Sequence, residues 1–316
     1  MRIGVVVGAS CDLPDAYLES NGIRVLPSVL QIDGRTWLDE RDPDRTMALY
    51  RRHIADRAST AHSTACGAAE ISDIFLHELV SDYERILVIS ACAEFSELFE
   101  RATEASYAIL QHYRERREAG RHDGGFALRV LDSCSVCAGE AVLVCHAMQL
   151  LRAGKLGFES IRRAVRQAAS RTVCLAVAAD PWFLGHRGLD GERSAISRLD
   201  RIRAVVSDLK PVIELKAGRY RTVARPRGFN AACATALKKA EDGIGRGSGA
   251  RAVALSFGGD PRVIREMPAY QSLEARALGL GAELHLSVMS ATMAVRLGPG
   301  AFSVAWLAAA EADSEA

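Results

Sequence analysis

Aromatic residues are scarce, 6% of 316, and no run interleaves them with basic residues. Charge of one sign is equally lacking: 40 Lys and Arg face 39 Asp and Glu, for a formal net charge of +1. A chain with neither a basic field nor stacking platforms has no general means of holding a polyanion, so nucleic acid is excluded as a partner. Long apolar runs are missing too. No stretch reaches the ~18 apolar residues that span a bilayer. The opening MRIGVVV stops at Ser10-Cys11-Asp12 with no cleavage site, so it reads as a buried first strand and not a signal peptide. The expected location is cytoplasmic, where eight cysteines stay as thiols.

Catalytic and cofactor signatures are also absent. Cys134-x-x-Cys137 has no second CxxC or His pair to complete a metal set, so no metal or cofactor is expected. There is no Walker A pattern and no HExxH. Gly8-Ala9-Ser10-Cys11-Asp12 lacks the final glycine of a nucleophile elbow. Gly245-x-Gly247-x-x-Ala250 follows a helical pattern and precedes a strand, the reverse of a dinucleotide fingerprint.

What is present is a regular alternation. Apolar, β-rich runs at 3–7, 23–32, 85–90 and 127–131 alternate with helical patterns at 42–55, 68–80, 95–119 and 136–152. This order predicts a parallel α/β sheet, whose ligands gather beyond the strand carboxyl ends. Ser10, Ser90 and Asp132-Ser133 all fall there. Past Gly154–Gly157 the pattern changes. Strands are expected at 173–178, 210–216, 219–224, 251–255, 283–287 and 302–307, with helices at 158–170, from 230, and at 261–280. The length suits two domains, divided as 1–155 and 156–316.

Three stretches carry candidate chemistry. His62-Ser63-Thr64-Ala65-Cys66-Gly67 sets two hydroxyls before a helical pattern, which suits either an N-cap or a seat for an anion. Leu297-Gly298-Pro299-Gly300-Ala301 is a tight turn with the cation of Arg296 at its start. Arg219-Tyr-Arg221 and Arg225-Pro226-Arg227 form either a solvated face or a docking patch for an acidic or phosphate-bearing partner.

Together these stretches resemble the DegV family of bacterial fatty-acid-binding proteins, which includes the binding subunit of fatty acid kinase. The resemblance runs through SCDLP (10–14), DGRTWLDERDP (33–43), STACGAAEI (63–71), FSELFERA (95–102), LDS (131–133), LKPVIEL (209–215), RPRG (225–228) and LGPGAF (297–302). It implies two α/β domains, the first with a parallel three-layer arrangement and the second with a mixed sheet, holding one palmitate- or oleate-like fatty acid between them. The family's two carboxylate loops fall on Ser63-Thr64-Ala65-Cys66 and Phe95-Ser96-Glu97-Leu98, so Ser63 and Ser96 are the implied ligands with Thr64 close by. Such proteins are carriers and not enzymes: they present the acyl carboxylate to a kinase, and a transient membrane encounter fits the same role. The rival reading is a lipid-acting serine hydrolase or acyltransferase; a sensor or scaffold that lost the pocket is a third.

The chain departs from the family pattern at several points. Gly8 stands where an aspartate is expected, Arg296 where a histidine is usual, and Glu97 where a glycine is. The Gly-Gly-Arg signature is replaced by GHRGLDGERSAISR, which leaves Arg187, Arg193 or Arg198 as its arginine. Arg187, Arg225 and Arg227 are the expected partner-binding residues. Arginine holds an anion as a permanent cation, so Arg296 is an expected fourth ligand of the carboxylate. About 14 buried methylenes at ~0.8 kcal/mol each supply roughly 11 kcal/mol of gross gain, before the cost of ordering the ligand.

Overall fold

The structure is a computed structural model that describes residues 2–52, 57–119, 125–186, 208–244 and 252–309. Arg187, Arg193, Arg198 and the glycine-rich 245–250 stretch lie outside the described residues.

Strand β1 (Ile3–Gly8) is apolar on both sides because it is covered on both sides. Val5 and Val7 enter one core and Val6 the other, as the two-residue period of a strand requires. With β2 (Arg24–Leu26), β6 (Arg85–Ser90) and β7 (Ala127–Asp132) it forms a parallel sheet in the order β2-β1-β6-β7. Helices α3 (Ala68–Ile74) and α4 (Leu98–Ala108) cover the Val6 face.

The run expected as one strand over 23–32 is two. Pro27 has no N–H to give a ladder, and the chain leaves the parallel sheet there. It continues as β3 (Ser28–Ile32), which pairs antiparallel with β4 (Arg35–Asp39) and β5 (Ala61–Ala65) in a small third sheet. Between β4 and β5, α2 (Pro43–Arg51) begins as its sequence requires: Asp42 accepts from Asp44 N and Arg45 N, and Pro43 opens the first turn.

The second half builds a mixed six-stranded sheet from β8 (Thr172–Val177), β9 (Val212–Lys216), β10 (Arg219–Ala224), β11 (Ala252–Phe257), β12 (Glu283–Val288) and β13 (Phe302–Leu307). Their order is β10-β9-β8-β13-β11-β12, with only the β11–β12 pair parallel. The helix expected over 261–280 is divided, because Pro268 holds Met267 in an extended conformation and starts a new helix.

Helix α6 (Ala138–Ala153) joins the halves. All but one residue from Ala138 to Met148 are buried, and the helix packs on β6 on one side and on β8, β11 and β13 on the other. One apolar cluster therefore runs from Val5 and Leu87 through Val142 to Leu255 and Phe302. The architecture is α/β, with a parallel sheet and a separate mixed sheet. Among the described residues no helix is long and apolar enough to cross a membrane.

Candidate functional site

Ser63 lies in a strand and not in a helix-leading loop. Gly67, not a hydroxyl residue, caps α3, and it does so without a side-chain bond. In β5 Ser63 stands opposite Leu30 of β3, which in turn stands opposite Trp37 of β4. Cross-strand partners share a face, so Trp37, Leu30 and Ser63 form one row across the small sheet. The helix Ala291–Leu297, capped by Ser290, packs on β3 and β5. The neighbours His62 and Thr64 take the opposite side of β5 and are exposed. His62 therefore presents no base to Ser63.

Ser63 is 5% exposed, and its hydroxyl is engaged twice. Oγ donates to Thr292 O at 3.2 Å and accepts from Arg296 Nε at 3.0 Å. The same guanidinium donates to Ser63 O at 3.0 Å and to Phe95 O at 2.8 Å. Ser96 Oγ accepts from Leu98 N at 3.2 Å. Ser63, Ser96 and Arg296 thus meet at one place, joined by Ser10 and Ser28, around a cavity of about 20 Å³; Thr64 also borders it, with its side chain on the other side of β5. The cavity has room for roughly one water. A much larger cavity of about 490 Å³ lies nearby between α2 and the small sheet, walled by Leu30, Trp37, Leu38, Leu49 and Ala291.

The floor of the seat contains groups that sequence reading missed. Ser10 Oγ donates to Glu140 Oε2 at 2.7 Å. Glu140 sits in the first turn of α6, fully buried, and burial pushes its pKa up to about 8. The local signal was a lone carboxylate inside the apolar stretch AGEAVLVC. Asp12 accepts from Ser256 Oγ at 2.6 Å, Ser290 N at 2.9 Å and Arg41 Nη1 at 3.2 Å. Burial raises the Asp12 pKa, and the Arg41 charge opposes that rise. Arg41 donates onward to Leu13 O and Val288 O, and Asp39 accepts from both Thr292 N and Thr292 Oγ1 at 2.7 Å. Asp12, Arg41 and Asp39 hold the end of β1 and the small sheet against the β11–β12 side.

Two of the departures from the family pattern, Gly8 and Glu97, have visible local surroundings. A Cβ on Gly8 would come within 2.4 Å of Leu98 Cδ2, so the expected aspartate would fit only if the Leu98 side chain moved. Glu97 is ion-paired with Arg101, whose guanidinium also reaches Ala65 O and Cys66 O. Gly298 and Gly300 have φ of 87° and 74°, the left-handed region that glycine adopts without strain. Gly300 N donates to Gly258 O and Gly258 N to Ala301 O, both at 2.7 Å, so the turn is clasped to the end of β11 just after Arg296.

Arg225 and Arg227 are exposed beyond the β9–β10 hairpin and do not line the cavity around Ser63. The eight cysteines are all unpaired with one another.

The DegV family model, described as covering uncharacterised proteins, matches residues 2–309. The chain belongs to the DegV family. A DegV domain-containing protein of Xanthomonas campestris pv. campestris is 33% identical over 313 residues, 98% of each chain. The DegV fold is confirmed by solved structures. A stearic-acid-binding protein from Eubacterium ventriosum superposes with a TM-score of 0.79 at 18% identity, over 97% of this chain and 98% of that one. DegV of Bacillus subtilis, a fatty acid binding protein, superposes with a TM-score of 0.72 at 16% identity, over 98% and 99%.

Proposed function

We propose that this DegV protein is a cytoplasmic carrier of one long-chain fatty acid. Its carboxylate is held by Ser63, Ser96 and Arg296, with Thr64 at the rim, and its acyl chain runs into the cavity between α2 and the small sheet, which Ala291 of the unit 156–316 also lines. The observation that supports this most is the Trp37–Leu30–Ser63 row. It leads from a polar seat with a permanent cation to a cavity of about 490 Å³, within the usual range for small-molecule sites, where Leu30, Trp37, Leu38, Leu49 and Ala291 offer apolar wall and Asp39, Glu40, Asp42, Arg45 and Arg52 a charged border. The seat itself is too small for a chain, so in this reading the ligand leaves it along that row, past the packed Leu30 side chain. A buried carboxylate needs charge-assisted partners, and Arg296 and two hydroxyls are such partners.

Catalysis by Ser63 or Ser96 is disfavoured, since the hydrogen bonds of their hydroxyls run to an arginine, a carbonyl and an amide N–H and not to a general base. Ser10 does have a carboxyl partner, but at neutral pH Glu140 is largely protonated and is a poor base. Delivery to a fatty acid kinase, with exposed Arg225 and Arg227 as contact residues, is the partnership we place second. A membrane is where the free carrier would collect its ligand.

Denaturing the purified protein, extracting with organic solvent and weighing the extract by mass spectrometry tests the proposal. A stoichiometric fatty acid, or uptake of added palmitate, is the expected result. An empty extract together with no uptake rejects it.

A further inference from the structure

The Cys145 thiol, the Glu283 carboxylate and the His285 imidazole each present a ligand atom within 4.8 Å of the other two. They come from distant parts of the chain. Cys145 lies in the buried stretch of α6, while Glu283 and His285 stand two apart on β12 and so share one side of that edge strand. His285 Nε2 is 3.0 Å from Glu283 Oε2. Tyr17, from the helix Asp15–Ser20, packs its ring edge-on to His285 with centroids 4.6 Å apart. Its Oη is shielded from solvent and lies beside the Cys145 sulfur, its hydrogen-bonding neighbour.

We propose that Cys145, Glu283 and His285 form a binding site for one divalent cation of the zinc class, separate from the lipid seat. The donor set is the argument. One sulfur, one imidazole nitrogen and one carboxylate oxygen suit a borderline-soft, four-coordinate ion and not magnesium or calcium, which take oxygen shells. Water or Tyr17 Oη takes the fourth position. A thiolate and a carboxylate together balance a charge of +2, as a largely buried site requires.

Arg152 Nη1 lies 3.5 Å from Glu283 Oε1 and opposes a cation, but it holds the oxygen turned away from His285 and leaves Oε2 for the ion. Glu283 is 38% exposed at the side chain and gives the ion a way in. Coordination forms the sulfur–metal bond as the S–H bond of Cys145 breaks, and the proton passes to solvent. The bound ion would tie α6 to the edge of the six-stranded sheet and to the first helix of the chain.

The test is a titration of the chelator-treated full chain with Co²⁺, followed by the thiolate-to-cobalt absorption in the near ultraviolet, with Zn²⁺ as competitor. One equivalent should develop the band and raise Tm. Cys145→Ser should abolish the band. His285→Ala and Glu283→Gln, on the partly exposed edge strand, should weaken binding at least tenfold. Palmitate uptake by these variants should be unchanged, which keeps this site's failure distinct from failure of the lipid reading. Absence of the band in the wild type overturns the proposal, as does an unaltered band in Cys145→Ser. Should Cys145→Ser not fold, unchanged affinity in His285→Ala overturns it equally.

Discussion

Arg296 Nε lies 3.0 Å from Ser63 Oγ, so a permanent cation and a buried hydroxyl hold each other in place at the mouth of a cavity of about 20 Å³. The guanidinium is also fixed by Phe95 O and Ser63 O. An incoming carboxylate meets a donor already oriented, in a site where solvent screening is weak.

Removing the hydroxyls should weaken binding while the fold survives. Ser63→Ala takes away one acceptor for Arg296 and one donor to Thr292 O, and Ser96→Ala takes away the partner of Leu98 N. At about 1 kcal/mol for each bond, the double variant should bind palmitate at least tenfold more weakly, with an unchanged circular dichroism spectrum. Wild-type affinity in the double variant would mean that the carboxylate lies elsewhere.

Arg296 should govern exchange. An arginine does not give up its proton near neutral pH, so the wild type should release labelled oleate to vesicles slowly and Arg296→His several-fold faster. Equal transfer rates would remove Arg296 from the release step.

Trp37 should matter for long ligands alone. It is 38% exposed at the wall of the larger cavity, at the end of the row that starts at Ser63. With ~0.8 kcal/mol at stake for each buried methylene, Trp37→Ala should cost palmitate about tenfold and leave octanoate nearly unaffected. Isothermal titration across a chain-length series reads this directly. Parallel losses at every length would place the acyl chain on a different path.

Glu140 should make stability depend on pH. Its carboxyl has an ordinary value of 4.5 and about 8 when folded, the rise coming from burial. Between those values the folded state keeps a proton that the unfolded chain has lost. Stability from this group is thus complete below about pH 4.5 and falls by roughly 1.4 kcal/mol per unit until pH passes 8. Glu140→Gln keeps an acceptor for Ser10 and removes the titration. Urea unfolding at pH 5, 6.5 and 8 should show a steeper decline for the wild type than for the variant. Parallel curves would show that Glu140 does not titrate in this range.

Much of the architecture was legible because the signals are local. The double-sided apolar runs of β1 and β6 announce a covered parallel sheet, and Asp42-Pro43 marks a helix start whatever lies around it. The small sheet was not legible. AHSTA has little strand character of its own and is a strand only because β3, some 30 residues earlier, supplies its hydrogen-bond partners. Proline at 27 could have been read as the break between two strands, and the reading ran through it. Glu140 was hidden for a similar reason, since one carboxylate in a helical first turn looks like an ordinary dipole partner until the helix proves to be wholly buried.

By itself the sequence determined the family, the α/β class and the hydroxyls worth watching, through short motifs whose order and spacing are properties of the chain. Only the tertiary structure decided how those hydroxyls are used. Ser63 meets Arg296 across 233 positions, and Asp12 meets Ser290 across 278. No periodicity reports such a meeting, because periodicity records which way a side chain points along its own element. What stands opposite is set by how whole sheets and helices pack, and here that packing turned a supposed helix cap into a strand residue locked to an arginine.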